Sequence, residues 1–153
     1  MSDIIITNEV NNNIIINKNN ILEELIKKQL TNIDYDKKFT LLNIKRVVNN
    51  IPSSIFNDNC CIWSGYIINS KKTAYISFFI KNKKIALHRL LYYNFVGPIN
   101  DNEYIKFTCE NKGTCCSIKH LKKVHNSKIP DEKIINSIKK DKVNNTVYFT
   151  IEN

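Results

Sequence analysis

The sequence lacks the features that mark several other classes of protein. No segment is as long and as apolar as a membrane-spanning helix, so we expect no membrane association. The first residues carry neither the basic leader nor the apolar core of a signal peptide, which predicts an intracellular location in cytoplasm, nucleus or viral factory. Thiols stay reduced there, and five cysteines are an odd number, so they indicate metal binding before disulfides. A secreted protein is not expected.

Length and composition predict one globular domain, or a compact domain with a helical arm, and a strong positive charge. The 153 residues carry a formal net charge of +9, and 42% of them are apolar, which is enough to form a core. Isoleucine, asparagine and lysine occur 26, 24 and 21 times, whereas alanine occurs twice. AT-rich codons encode the three abundant residues, so this bias is typical of a giant DNA virus, an amoeba or another AT-rich source. A single lysine or asparagine therefore carries less meaning than usual.

Hydrophobic periodicity predicts an α+β fold in four segments. Residues 1–20 are polar and rich in asparagine, which indicates a flexible arm or a loose hairpin. A helical region follows over 21–58, a β-rich core over 59–125, and a C-terminal helix and strand over 126–153. The predicted helices begin at Ile21 and cover 36–48, 88–95, 119–124 and 130–140, and the predicted strands cover 61–67, 73–80, 85–87, 104–109 and 147–151.

The segment 109–121 has the residue types and spacing of a metal site. Zinc takes thiolate and imidazole ligands, and a tight knuckle followed by a helix can supply three of them. Cys109, Cys115 and His120 fit this pattern, with Cys116 as a competing ligand. A fourth ligand has to come from Cys60 or Cys61. The alternative is a set of buried free thiols beside a surface histidine.

Four ordered motifs give the chain its resemblance to a known family. They are Cys-Cys-Ile-Trp-Ser-Gly at 60–65, Ala-Leu-His-Arg-Leu-Leu-Tyr at 86–92, Gly-Pro-Ile at 97–99, and the cysteine-histidine segment at 109–121. In this order they resemble the HNH and His–Cys-box endonucleases. The resemblance covers about residues 60–124.

The resemblance implies a ββα-metal core, in which structural zinc stabilises a small antiparallel sheet. An N-terminal helical arm is expected before this core and a C-terminal helix after it. One zinc ion per chain is implied, and the family pattern places its ligands on Cys60, Cys109, Cys115 and His120. The first knuckle gap holds five residues here, where the family has four.

The catalytic positions of the family do not carry over. The family has its general-base histidine two residues before the first knuckle cysteine, and this chain has Phe107 there, whose ring cannot accept a proton. Ser117 stands where the family has asparagine. His88 and His125 remain as stand-in bases, and Asn126 as a magnesium ligand. We therefore expect an inactive nuclease scaffold with no catalytic residue.

Charge along the chain predicts a surface that follows DNA phosphates. No aspartate or glutamate occurs between Asn59 and Asn100, and six basic residues lie in that stretch. The lysines of its two predicted turns are expected to be solvated and to bury little. Only two arginines are available to read guanine, so the charge predicts affinity more than specificity. The predicted DNA-binding residues are Lys71, Lys72, Lys81, Lys83, Lys84, Arg89, Lys119, Lys122 and Lys123.

Together these patterns predict a non-enzymatic protein that binds double-stranded DNA with little sequence preference. If the source is viral, genome condensation or packaging is the expected role, and the virion a further location. A divergent, active HNH homing endonuclease is the alternative. A structural or protein-interaction module, whose basic face is incidental, is the second alternative. The sequence predicts no particular oligomeric state.

Overall fold

Helices and short antiparallel strand pairs make up the structure, a computed structural model that describes residues 2–71 and 73–126. The fold class is therefore α+β, as predicted. Residues 2–71 and 73–99 with 105–122 form one compact unit, and a second unit includes 100–104 and 123–126. No helix in this part of the chain is long and apolar enough to cross a membrane. Lys72 and the predictions for 130–140 and 147–151 lie outside the described residues.

The first helix, α1, covers Ser2–Lys28. The prediction of an arm or hairpin over 1–20 is therefore wrong for residues 2–20. No glycine or proline occurs before residue 52, so α1 contains no residue that would break the helix. Lys18 anchors that part by donating to the Val48 carbonyl at 2.9 Å. The buried side chains of α1 include Ile21 and Leu25.

The second helix, α2, covers Leu41–Asn49, a shorter span than the predicted 36–48. A reciprocal cap decides where it begins. The Thr40 side chain accepts a hydrogen bond from the Asn43 backbone, and the Asn43 side chain accepts one from the Thr40 backbone. These bonds satisfy two backbone donors that would otherwise have no partner at the start of the helix.

Two short hairpins follow α2. The turn of the second contains Lys81 and Asn82, whose φ angles are +47° and +65°. Two successive residues with positive φ are typical of a type I′ turn, which fits the twist of a two-residue hairpin. The first hairpin pairs β1 (Ile68–Asn69) with β2 (Ala74–Tyr75), and the second pairs β3 (Ser77–Ile80) with β4 (Lys83–Ala86).

The predicted strand over 61–67 is wrong, since this segment forms only an isolated antiparallel bridge between Ile62 and Cys115. The alternating side chains indicated an extended segment, but the pairing partner is a loop about fifty residues away. Local periodicity does not reveal how few residues of such a segment will pair.

The third helix, α3, covers Leu87–Phe95 and confirms the helix predicted over 88–95. Its buried Asn94 connects three parts of the chain. The Asn94 side-chain oxygen accepts from the Phe39 backbone at 2.9 Å and from Gln29 at 2.8 Å, while its amide donates to the Lys37 carbonyl at 2.9 Å. The core around it includes Leu25, Val47, Ile55, Phe78, Leu87, Leu90 and Leu91.

The last strand pair joins β5 (Glu103–Phe107) to β6 (Leu121–His125). The helix predicted over 119–124 is wrong, because residues 118–120 form a single 3₁₀ turn and the chain then becomes β6. The Thr108 backbone N–H donates to the His120 carbonyl at 2.8 Å at the start of this pairing. Hydrogen bonding to β5 therefore outweighs the local preference of this short basic segment for a helix.

Candidate metal centre

Three cysteines and one histidine bring their ligand atoms together in the first unit. The sulfur atoms of Cys60, Cys109 and Cys115 and a ring nitrogen of His120 all lie within 4.8 Å of one another. His120 Nδ1 is 3.5 Å from both the Cys60 and the Cys115 sulfur. These are the four ligands that the resemblance implied. The group could hold a metal ion.

The loop from Cys109 to Cys115 is a tight reversal that depends on one glycine. The Asn111 carbonyl accepts hydrogen bonds from the backbones of Thr114 and Cys115, at 3.2 and 3.1 Å. Gly113 has a φ of +84°, and a Cβ added there would overlap the Ala74 carbonyl of β2. Only glycine combines this backbone angle with so close an approach.

Cys60 reaches the group because the chain beside it pairs with the end of this loop. The Trp63 backbone donates to the Thr114 carbonyl at 3.0 Å, and the Cys116 backbone donates to the Cys61 carbonyl at 2.6 Å. A hydrogen bond from the Asn111 side chain lowers the pKa of Cys60, which favours the thiolate.

The ring of His120 is oriented by a backbone carbonyl. His120 Nε2 lies 2.6 Å from the carbonyl oxygen of Asp58, which can only accept a hydrogen bond. Nε2 therefore donates a proton to this carbonyl, and in the neutral ring the lone pair of Nδ1 faces the sulfur atoms of Cys60 and Cys115. Such an outer partner fixes the tautomer of metal-binding histidines. Sequence spacing gave no signal for Asp58, because it contributes a carbonyl that every residue has.

The two neighbouring cysteines face the core, so they are not part of the group. Cys61 and Cys116 are both fully buried, and Cys61 donates to the Ser53 carbonyl at 3.4 Å. Burial raises the pKa of both thiols, which keeps them protonated. Adjacent residues in extended backbone point to opposite faces, and this separates each ligand from its neighbour.

Phe107 and Ser117, which the resemblance aligned with catalytic positions, both contact other groups of the protein. The ring centroids of Phe107 and His88 are 4.9 Å apart. Burial and the charge of Arg89 lower the pKa of His88 to about 4, so the ring is neutral and weakly basic at pH 7. The buried Ser117 donates its hydroxyl hydrogen to the Asn57 carbonyl at 2.8 Å.

The predicted DNA-binding lysines differ in what they contact. Lys81 is not a solvated turn lysine, because its ammonium donates to the carbonyls of Tyr35 and Lys38. Three more of these lysines form ion pairs with acidic residues. The pairs are Lys83–Asp36 at 3.7 Å, Lys119–Asp58 at 3.0 Å and Lys123–Glu103 at 3.6 Å. Lys71, Lys84 and Lys122 are exposed without an acidic partner among residues 2–71 and 73–126, and Arg89 is half-buried.

The fold and the site define an α+β protein with a Cys3His group able to hold a metal ion. No family model matches the chain, and no solved structure matches it. An uncharacterized protein of Acanthamoeba polyphaga mimivirus is 52% identical over an alignment of 116 residues that covers 73% of this chain and 34% of that protein. The chain thus spans about a third of the length of this relative. The relative is viral, in agreement with one of the sources suggested by the composition.

Proposed function

We propose that this protein binds double-stranded DNA through its phosphate groups and does not cut it, using a degenerate HNH-type scaffold that structural zinc holds together. The main observation behind the proposal is the order of the proposed metal ligands and the acid-free stretch along the chain. The acid-free stretch of 42 residues, 59–100, begins beside the first proposed ligand, Cys60, and ends nine residues before the second, Cys109. A metal bound by both cysteines would fix the basic surface between them in place.

Zinc suits the donor set. Three thiolates and one imidazole form a closed tetrahedral site of the structural kind, with Zn–S near 2.3 Å and Zn–N near 2.0–2.1 Å. A tetrahedron of those bonds has a sulfur-to-nitrogen edge of about 3.6 Å, and the two such distances in the structure are 3.5 Å. Bound zinc would contribute folding free energy directly. One ion per chain is therefore expected.

Two lysines of the acid-free stretch support contact with phosphates. Lys71 lies between the strands of the first hairpin, and Lys84 lies on β4. Both are exposed, and neither has an acidic partner in the described part of the chain. Lysine binds phosphate as a point charge and reads no base pattern, which favours binding without sequence preference.

The absence of cutting is supported by the environment of the two aromatic rings. Phe107 cannot take a proton from water, and His88 beside it is a weak base. A general base typically contributes about 10²–10⁴-fold in rate, so residual cleavage would be slow. If the protein acts in a virus, as its mimivirus relative suggests, condensation or packaging of the genome is the role that fits a small basic binder.

The salt dependence of binding tests this proposal. Each phosphate contact contributes about 0.9 to the slope of log affinity against log salt. The Lys71→Gln, Lys84→Gln double variant should therefore lower the slope by about 1.8, and by the same amount on two unrelated duplexes. Fluorescence anisotropy with labelled DNA measures both slopes. A matched control replaces Lys27 and Lys45, two exposed helix lysines outside the stretch, and should change the slope less.

The same experiment also distinguishes the two alternative functions. Efficient magnesium-dependent cutting of the labelled strands would select the homing endonuclease and overturn the proposal. Affinity that does not change between low and physiological salt would also overturn it, and the absence of both cutting and salt-dependent binding would select the protein-interaction module.

A further inference from the structure

Two lysines lie directly opposite each other on the exposed side of the β5–β6 pair. The Thr108 N–H donates to the His120 carbonyl, so these residues are partners in an antiparallel register. Two residues further along each strand, Lys106 faces Lys122. The burial pattern agrees with this register, since Ile105 and Leu121 are buried whereas both lysines are exposed.

This arrangement places two like charges side by side. Directly opposed residues have Cβ atoms about 4.5–5.5 Å apart, and like charges at this spacing destabilise a strand pair. Neither Lys106 nor Lys122 has an acidic partner among residues 2–71 and 73–126. The repulsion is therefore not neutralised by a side chain of the described protein. An external anion between the two ammonium groups would neutralise it.

We infer that Lys106 and Lys122 together hold one phosphate group of the DNA backbone. The inference rests on the proposed function and adds Lys106, which lies outside the acid-free stretch, to the surface that contacts DNA. Flexible four-carbon side chains allow both ammonium groups to approach the same phosphate, with N–O distances of about 2.7–2.9 Å. Their strands also lead to two ligands, since Cys109 follows β5 and His120 precedes β6.

A charge reversal at one member separates a binding role from a merely structural one. In the Lys106→Glu variant, an opposite-charge pair replaces the like-charge pair, so the thermal midpoint should rise by about 1–4 °C. The same variant should lose DNA affinity, because the carboxylate repels phosphate and occupies Lys122. The double variant Lys106→Gln, Lys122→Gln removes this phosphate contact and should lower the salt slope by about 0.9.

The matched control is Lys45→Glu, which makes the same change of charge on an exposed position of α2. The inference requires that Lys106→Glu weaken DNA binding by several-fold more than Lys45→Glu does, while raising the midpoint. Equal weakening by both variants would mean that net charge alone attracts DNA, and it would overturn the inference while leaving the proposed function intact.

Inorganic phosphate provides a readout that does not need DNA. Phosphate should raise the thermal midpoint of the wild-type protein more than chloride at equal ionic strength, and this excess should disappear in Lys106→Gln. If the wild type fails to bind DNA but shows the phosphate effect, the proposed function is wrong and the pair remains an anion site. If phosphate acts equally on both proteins, the inference is wrong.

Discussion

Adjacent cysteines have opposite roles at two places in this chain. At Cys60–Cys61 and at Cys115–Cys116, the first cysteine faces the metal group and the second lies in the core. Sequence spacing left both choices open, because it counts residues and does not show which way a side chain points. The bridge between Ile62 and Cys115 sets the direction of both pairs. Chemistry of the thiols agrees, since burial keeps Cys61 and Cys116 protonated.

Single substitutions can separate these roles. The Cys115→Ser variant should lose the metal and most of its folded state, because zinc binding and folding are coupled. The Cys116→Ala variant should keep one zinc per chain and lose only about 1 kcal/mol of stability from a small cavity. Elemental analysis and urea unfolding of both proteins measure this difference. Equal zinc content in the two variants would contradict the assignment.

His88 predicts a pH dependence of stability. Its pKa falls from an ordinary value of 6.5 to about 4 in the folded protein, because the ring is buried and lies beside Arg89. Between these values the unfolded chain binds more protons, so stability present above pH 6.5 is lost as the pH falls towards 4. The loss from this group is at most roughly 3 kcal/mol.

The urea midpoint of the His88→Gln variant should therefore change less than that of the wild type between pH 7 and pH 4.5. The control is Asn19→Gln at an exposed position of α1, which neither adds nor removes a titrating group and should follow the wild-type profile. Parallel profiles for wild type and His88→Gln would show that His88 does not resist protonation in the folded state.

At the scale of elements, the sequence predicts the helices and strands whose structure depends on neighbouring residues in the chain. Helix α3 follows from its apolar spacing and from Gly97-Pro98 after its end. Strand β6 does not, because a five-residue basic segment has no strong preference and its structure comes from pairing with β5. The members of the Cys3His group could be predicted from ordered motifs, whereas the Asp58 carbonyl and the contacts of Lys81 depend on folded neighbours.

Asn94 shows how one side chain joins elements that are distant in sequence. Replacing it with leucine should leave the Phe39 N–H and the Lys37 carbonyl without their partners inside the protein. An unpaired buried polar group costs about 1–3 kcal/mol, so Asn94→Leu should lose roughly 2–4 kcal/mol of unfolding free energy. Urea unfolding checks this, with the exposed Asn19→Ala as a control expected within about 0.5 kcal/mol of wild type. A loss no larger than that of the control would contradict the role of Asn94.

At the scale of the whole molecule, the proposed zinc joins segments that are far apart in sequence. Its ligands come from residue 60 and from 109–120, and the basic stretch lies between them. Tying the ends of so long a segment restricts the unfolded chain, which adds to the stability of the folded one. The basic surface and the metal are therefore expected to be lost together.

One measurement tests this central claim most directly: the affinity for a labelled DNA duplex before zinc is removed by a chelator, after its removal, and after zinc is returned. We predict that the zinc-containing protein binds in a salt-dependent manner, that removal of zinc abolishes this binding and unfolds the core, and that added zinc restores both. DNA affinity and folded structure that are unchanged after complete removal of zinc would contradict the account.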